Sequence, residues 1–464
     1  MISLPLCNGS VAHIGRWRSG DAPYTRPMTT DNPSVWLTTL GCAKNQVDSD
    51  KISGQLAEAG YRQVTAIDQA DVVMVNTCAF IEAARQESIE TVLEAAGRKR
   101  SDAKVMVVGC MAQRYETELV ESLPEVDDVV GLDRYGELVG RLDALTDWEP
   151  IRFGSVPMDI LYEVRRPAPT TPYAYVKIAE GCDKACSFCA IPQFRGPQRS
   201  RPPVNIRTEV ADLVEQGVGE IVLVAQDLAA YGRDIDAQGG IVDLLRFLSD
   251  VDGLRRMRLL YLYPREITEG LIDEMANNPR VVPYFDLSLQ HASSRLLRAM
   301  KRPGSAESHL DLIGKIRAAT GDSAMRSSFI VGFPGETDDD VDELADFIEA
   351  ARLDWAGFFP FSAEEGTSAV TLPDRVPSDV VMDRLRRLQG IQDEITADRN
   401  AEQIGKRLKV VVDTVEDGSS VARSYREAPE IDGVILLDRG EVGEWLEVEV
   451  TGAYGQELGA EVVA

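Results

Sequence analysis

The sequence predicts an α/β multidomain protein: an open parallel α/β domain, then a partial (β/α)6 barrel, then a small closed β-barrel. Three observations predict it. Val- and Ile-rich runs alternate with amphipathic stretches through most of the chain, the pattern of parallel strands buried on both faces with crossover helices between them. From Gly405 the pattern changes to short strands with Gly-rich turns. The chain of 464 residues is also too long for one ordinary domain.

Composition narrows the classes of function. Hydrophobic residues make up 44% and charged residues 27%, as in a globular protein with a sizeable core. No run approaches the ~18 apolar residues of a membrane span. A formal charge of −27 repels phosphate backbones at long range and suits a basic protein partner. Direct nucleic-acid binding would then require a local basic patch. The seven cysteines do not form a secreted disulfide framework, and six fall into two trios, so a reducing cytoplasm is expected.

Residues 1–33 read as a disordered extension, with Met28 a plausible start and Cys7 an idle thiol. From Ser34, VWLTTLGC, ADVVMVNTC and AKVMVVGC are strands that end at Cys42, Cys78 and Cys110. Helices follow each, and a shorter VDDVVG run and a helix near Tyr135 to Leu145 complete a domain over 34–147. Cysteines at the carboxyl ends of successive parallel strands converge on the ligand-binding edge of such a sheet. They read either as a three-thiolate metal site or as buried core cysteines. Gly41 and Gly109, each preceding a cysteine, favour the metal because Gly permits close backbone approach to a bulky group.

A linker over 148–171 leads to YAYVKIAEGC and to Cys182, Cys186 and Cys189. Three thiols from one loop suit an iron–sulfur cluster with one iron left open. Zinc loops usually offer paired CxxC groups or a nearby His, and neither occurs here. EIVLVAQD, RMRLLYLY, YFDLSLQH, MRSSFIVGFPGET and WAGFFPFSAEEGT follow. With the first strand they give six strand–helix units over 172–398, with chemistry expected at the strands' carboxyl ends. Gln226, Asp227, Gln290, His291 and Glu364 lie there. His291 reads equally as a hydrogen-bonded mouth residue or as a direct participant, and His309 as a solvated helix residue. RLKVVVDTV, GVILL and EWLEVEVTGAYG then form a five-stranded barrel over 401–464.

CDKACSFC (Cys182 to Cys189) resembles the CxxxCxxC signature of radical S-adenosylmethionine (SAM) enzymes. TLGCAKNQVDSD, NTCAFIEAA and VVGCMAQRY resemble the three cysteine motifs of their methylthiotransferase branch. The last barrel resembles the TRAM domain, a module usually associated with RNA. The resemblance spans roughly residues 34–464. It implies a 4Fe-4S cluster on Cys182, Cys186 and Cys189 whose open iron takes SAM, and an auxiliary 4Fe-4S cluster on Cys42, Cys78 and Cys110. It also implies SAM contacts near Phe188, Gln226, Asp227 and Arg326. No catalytic residue beyond the cluster cysteines is assigned.

The Lys-Asn after Cys42 and the stretch RSYREAPEIDGVILL resemble the branch acting on small-subunit ribosomal protein twelve. Residues 401–464 carry six Lys/Arg against fourteen Asp/Glu, which suits a basic protein better than RNA. The resemblance therefore implies methylthiolation of an aspartate β-carbon in that protein, with two SAM and a flavodoxin- or ferredoxin-type reductant. Two alternatives stand beside it. One is the same chemistry on a tRNA adenosine derivative; the other is a non-catalytic iron–sulfur protein that binds ribosome or RNA.

Overall fold

A computed structural model describes residues 32–146, 148, 162, 164–235, 237, 239–416 and 418–463. Residues 1–31, with Cys7 and Met28, lie outside that set, as does most of the stretch between 147 and 163.

The first sheet is all parallel. Strands β1 (Ser34–Thr39), β2 (Arg62–Gln63), β3 (Val72–Thr77), β4 (Lys104–Gly109) and β5 (Asp128–Val130) run in the order β2-β1-β3-β4-β5. Every residue of β3 is buried, as its unbroken apolar run requires. The connecting helices are α1 (Ala43–Glu58), α2 (Glu82–Arg98), α3 (Cys110–Arg114), α4 (Glu116–Ser122) and α5 (Leu138–Thr146). Strand order reverses between β1 and β3, so the loops leaving those strands diverge and open a crevice at the carboxyl edge. Cys42 caps α1 beside that crevice, Cys78 follows β3, and Cys110 opens α3. The two-residue β2 is too short to have been anticipated.

The second body contains β6 (Tyr173–Lys177), β7 (Ala179–Glu180), β8 (Arg199–Ser200), β9 (Glu220–Val224), β10 (Arg256–Leu259), β11 (Tyr284–Gln290), β12 (Ala324–Val331) and β13 (Trp355–Pro360). Parallel sheets β10-β9-β6 and β11-β12-β13 meet through the bridges Met257–Val281 and Leu262–Leu287. The result is the expected six-stranded partial barrel, with the β7–β8 pair framing the cysteine loop. Around it lie α6 (Ile191–Phe194), α7 (Pro203–Glu215), α8 (Gly240–Ser249), α9 (Glu269–Asn277), α10 (Ser294–Ala299), α11 (Ala306–Thr320), α12 (Asp338–Ala351) and α13 (Ser378–Ala401).

The local chemistry accounts for these helices. In α8, Ile241, Leu244, Leu245 and Leu248 recur at helical spacing and form its buried face. In α12, Thr337 and Asp340 make a reciprocal capping box, and three aspartates occupy the first turn at the positive end of the helix dipole. The expectation for His309 is corrected. It is 4% exposed and meets Phe347 edge-on at 6.0 Å, because it shares a face of α11 with Ile313 and Ile316. Burial pushes its pKa down to about 4.

The last body is a closed barrel of β14 (Arg407–Glu416), β15 (Ser419–Arg423), β16 (Ile435–Leu437), β17 (Trp445–Tyr454) and β18 (Glu457–Val462), ordered β14-β15-β16-β18-β17. The segment between β15 and β16 leaves this barrel and plugs the amino end of the larger one. Its contacts are with residues that begin the larger barrel's strands. Tyr173 Oη donates to Glu430 (3.0 Å), Arg258 to the carbonyls of Ser424 and Tyr425 (3.0 and 2.7 Å), and Tyr284 Oη to Asp432 (2.6 Å). Glu220, fully buried, accepts from Arg256, Arg258 and Arg423 at 2.7–3.0 Å. RSYREAPEID is therefore an inward-facing plug, and the opposite, carboxyl end of the strands stays free for the site.

Candidate functional site

The first and second bodies face each other along their carboxyl edges. Cys42, Cys78 and Cys110 sit on one edge, and each lies within electrostatic reach of at least one of the others. Gly41, at φ +94°, lies so close to Cys78 that an added Cβ would stand 2.9 Å from its Sγ. Gly109, at φ +98°, leaves room for Asn76, whose Oδ1 would be 2.2 Å from an added Cβ. Asn45 ties the loops together, its Nδ2 donating to the carbonyls of Leu40 (2.8 Å) and Thr77 (3.1 Å). The two glycines thus let the cysteine loops approach Cys78, and Asn76 with the Thr77 backbone, closely.

On the facing edge, the Cys182–Cys189 loop is pinned from several sides. Cys182 N donates to Gly196 O (3.1 Å), Ser187 N to Met300 O (3.0 Å) and Gln198 N to Asp183 Oδ1 (3.0 Å). Cys182, Cys186 and Cys189 are mutually within electrostatic reach, and Arg302 Nη1 lies 3.5 Å from Cys186 Sγ. Phe188 packs, half-buried, against the cluster formed by Leu296, Leu297, Met300, Phe333 and Ala369.

Burial raises the thiols of Cys110 and Cys189 to about 12. Without a metal they are protonated at neutral pH, and a metal group would have to displace those protons. At Cys42 burial acts in the same direction, but the cations of Lys44 and Arg195 outweigh it and the thiol falls below its ordinary value. Among the described residues no three His, Cys, Asp or Glu side chains converge on a single metal ion. Two all-thiol sets with cations close by fit the soft-ligand demand and negative charge of iron–sulfur clusters.

Between the edges lies a buried ionic network that the sequence did not reveal. Arg195 Nη2 lies 2.9 Å from Cys110 Sγ and 2.8 Å from Asn45 Oδ1, while its Nη1 donates to Glu180 Oε1 at 2.8 Å. Glu180 stands two residues before Cys182, and Lys177 joins it to Asp48 on α1. Glu364, 2% exposed, joins Arg85 and Arg114 of the first body to the loop after β13. The contacts of Arg195 with Asn45, of Lys177 with Asp48 and of Glu364 with Arg85 and Arg114 link residues more than a hundred positions apart, which local patterning cannot show.

The other expected site residues are placed as follows. Gln226 Nε2 donates to Glu180 Oε1 at 2.8 Å, and its Oε1 is buried without a hydrogen bond. Asp227 is buried, with Lys184 Nζ 3.3 Å away as an ion pair but no hydrogen bond to either oxygen. Arg326 pairs with Asp286 and with Asp432 of the plug, each at 3.3 Å. His291 is fully buried, its Nδ1 accepting from Ser293 N at 3.0 Å. Tyr261 and Gln290, at the carboxyl ends of β10 and β11, adopt φ of +62° and +72°. Backbone strain of this kind gathers at functional sites.

Comparison with known proteins agrees with this geometry. Residues 34–131 match Uncharacterized protein family UPF0004, residues 176–348 the Radical SAM superfamily, and residues 404–463 the TRAM domain. A solved radical SAM methyltransferase, TsrM from Kitasatospora setae, shares the fold at a TM-score of 0.52 with 17% identity, covering 70% of this chain and 73% of that one. The barrel and its thiol loop define the class, radical SAM enzymes.

Whole-chain relatives define the branch. The chain is 41% identical to "Ribosomal protein uS12 methylthiotransferase RimO" of Kineococcus radiotolerans, over 94% of this chain and 98% of that protein. It is 42% identical to the protein of the same name from an Anaeromyxobacter species, over 93% of each. The chain belongs to the RimO family of ribosomal protein uS12 methylthiotransferases.

Proposed function

We propose that this protein adds a methylthio group to the β-carbon of an aspartate in ribosomal protein uS12, using two SAM molecules and two 4Fe-4S clusters. The observation that carries this reading is the opposition of two three-thiol sets across one interface, with Arg195 touching Cys110 of one set and holding Glu180, two residues before Cys182 of the other. Cys182, Cys186 and Cys189 would hold the SAM-binding cluster, and Cys42, Cys78 and Cys110 the auxiliary one. When bound, these groups supply what side chains lack: a radical able to break an unactivated C–H bond, and the sulfur to be transferred.

The chain's own residues position and shield. Gln226 and Asp227 offer buried acceptors without hydrogen-bond partners at the end of β9, suited to the donors of SAM. The plug keeps solvent from the barrel's amino end, and the first body covers the carboxyl end, so the reacting carbon would be held away from water. The domain limits that fit this division are 34–147, 172–398 and 401–464.

The net charge of −27 supports a basic protein substrate, free or within the ribosomal subunit, and argues against a direct nucleic-acid grip. Among the described residues no helix is long and apolar enough to cross a membrane. A cytoplasmic setting, with a flavodoxin or ferredoxin as reductant, completes the reading.

The test uses anaerobically reconstituted protein with SAM, sulfide and a reductant, offered uS12 and, separately, hypomodified tRNA. The expected product by mass spectrometry is uS12 carrying one methylthio group on an aspartate. Modification of tRNA alone would overturn the substrate. No product from protein holding both clusters would overturn the activity.

A further inference from the structure

Lys44 is an anomaly at the centre of the site. It is 7% exposed and occupies the second position of α1, two residues after Cys42. An ammonium group there faces the positive end of a helix dipole, the unfavourable arrangement. Burial of a charge is costly unless the charge is paired. The neighbouring buried cations are paired: Lys51 with Glu209 (3.1 Å), Arg195 with Glu180 (2.8 Å), Lys177 with Asp48 and Glu180. Lys44 differs. Among the described residues its Nζ has neither a hydrogen-bond acceptor nor a carboxylate at ion-pair distance. It lies instead 3.6 Å from the centroid of the Tyr261 ring.

Tyr261 marks the place where that charge is held. It ends the β10 segment at the barrel's carboxyl mouth with φ +62°, and its backbone N–H is fixed by Asp286 Oδ2 at 2.9 Å. A cation over an aromatic face keeps its other donors available. Arg326, also inside the barrel, is by contrast engaged by Asp286 and Asp432. The mouth therefore presents an ammonium with no carboxylate at ion-pair distance, beside the first thiol of the auxiliary set.

We infer that Lys44 is the specificity-determining residue that receives the side-chain carboxylate of the acceptor aspartate. The inference rests on the reading of the function given above and names how the site recognises its substrate. In an aspartate the carboxylate carbon is bonded directly to the β-carbon. An ammonium that holds the carboxylate thus holds the reacting carbon next to Cys42, where sulfur is to be delivered. An adenosine base has no carboxylate to meet this charge.

The test compares binding of purified uS12, with its acceptor aspartate intact or replaced by asparagine, to enzyme holding both clusters. Wild-type enzyme is expected to prefer the aspartate form by about tenfold to a hundredfold, the range of one charged hydrogen bond. Lys44→Met should bind both forms alike, and Lys44→Arg should restore part of the preference. Iron content and the auxiliary cluster's electron paramagnetic resonance signal are measured in each variant. Preference retained in Lys44→Met, or absent in wild type, would overturn the inference. So would a Lys44→Met whose preference persists while its cluster signal shifts, which would assign the lysine to the cluster. If wild-type enzyme modifies only tRNA, the functional reading itself has failed, a result visible without any variant.

Discussion

Arg195 Nη2 lies 2.9 Å from Cys110 Sγ, so a residue of the radical loop touches a thiol of the other body. The same guanidinium holds Glu180, two residues before Cys182. One planar side chain thereby couples the geometry of two sites that fold on separate sheets. Its five donors in a fixed fork suit this task, which a lysine's point charge cannot reproduce.

Arg195→Lys is therefore expected to keep the charge and lose the coupling. Hydrogen bonds to cluster sulfur raise a cluster's reduction potential. The auxiliary cluster's potential should fall in this variant while that of the SAM-binding cluster holds, as read by a redox titration followed by electron paramagnetic resonance. Arg195→Met should go further. It leaves Glu180 and Asp48 with one buried cation fewer, which costs about 3–5 kcal/mol in such settings. A lower denaturation midpoint measures that loss.

Glu364 acts as a clasp. It is buried under Arg85 and Arg114 and ties the loop after β13 to the first body. Glu364→Gln leaves two cations facing a neutral amide and should destabilise the interface by about 3 kcal/mol. Faster proteolysis between the bodies, with far-ultraviolet circular dichroism unchanged, is the expected signature.

A pH dependence follows from Glu209. This buried carboxylate is shared by Lys51 (3.1 Å), Arg201 (2.6 Å) and Arg166 (3.2 Å). Burial works against its charge, but the three cations outweigh burial and bring its pKa down to about 2. Burial pushes Lys51 down to about 8 against the pull of Glu209, with repulsion from Arg201 and Arg166 acting in the same direction. Because Glu209 is depressed in the folded state, its contribution is fully present above its unfolded value near 4.5 and is lost as pH falls toward 2. The contribution is on the order of 3 kcal/mol at neutral pH. Urea midpoints between pH 6 and 2.5 should fall steeply in the native chain and less so in Glu209→Gln.

What was legible in the sequence was local. The runs VVMVNT and KVMVVG declare buried parallel strands because such strands need continuous apolar residues. The cysteines stand out because thiol spacing has few other purposes. Glu364 was legible as a strand-end polar residue, but its pairing with Arg85 and Arg114, like the Arg195–Glu180 pair, stayed hidden because a buried ion pair is made by folding. His309 misled because a titratable ring reads as exposed, yet its spacing from Ile313 and Ile316 puts it on the buried face of α11. RSYREAPEID marked the branch correctly, yet nothing in its pattern disclosed that it turns inward to fill the barrel's end.

The most direct test of the account compares Cys110→Ala with Cys189→Ala after identical anaerobic reconstitution. Each variant should bind about four irons where the native chain binds about eight. Cys110→Ala should still release 5′-deoxyadenosine from SAM but yield no methylthiolated uS12, and Cys189→Ala should do neither. The account is contradicted if either variant keeps the full iron content, or if Cys110→Ala still transfers the methylthio group.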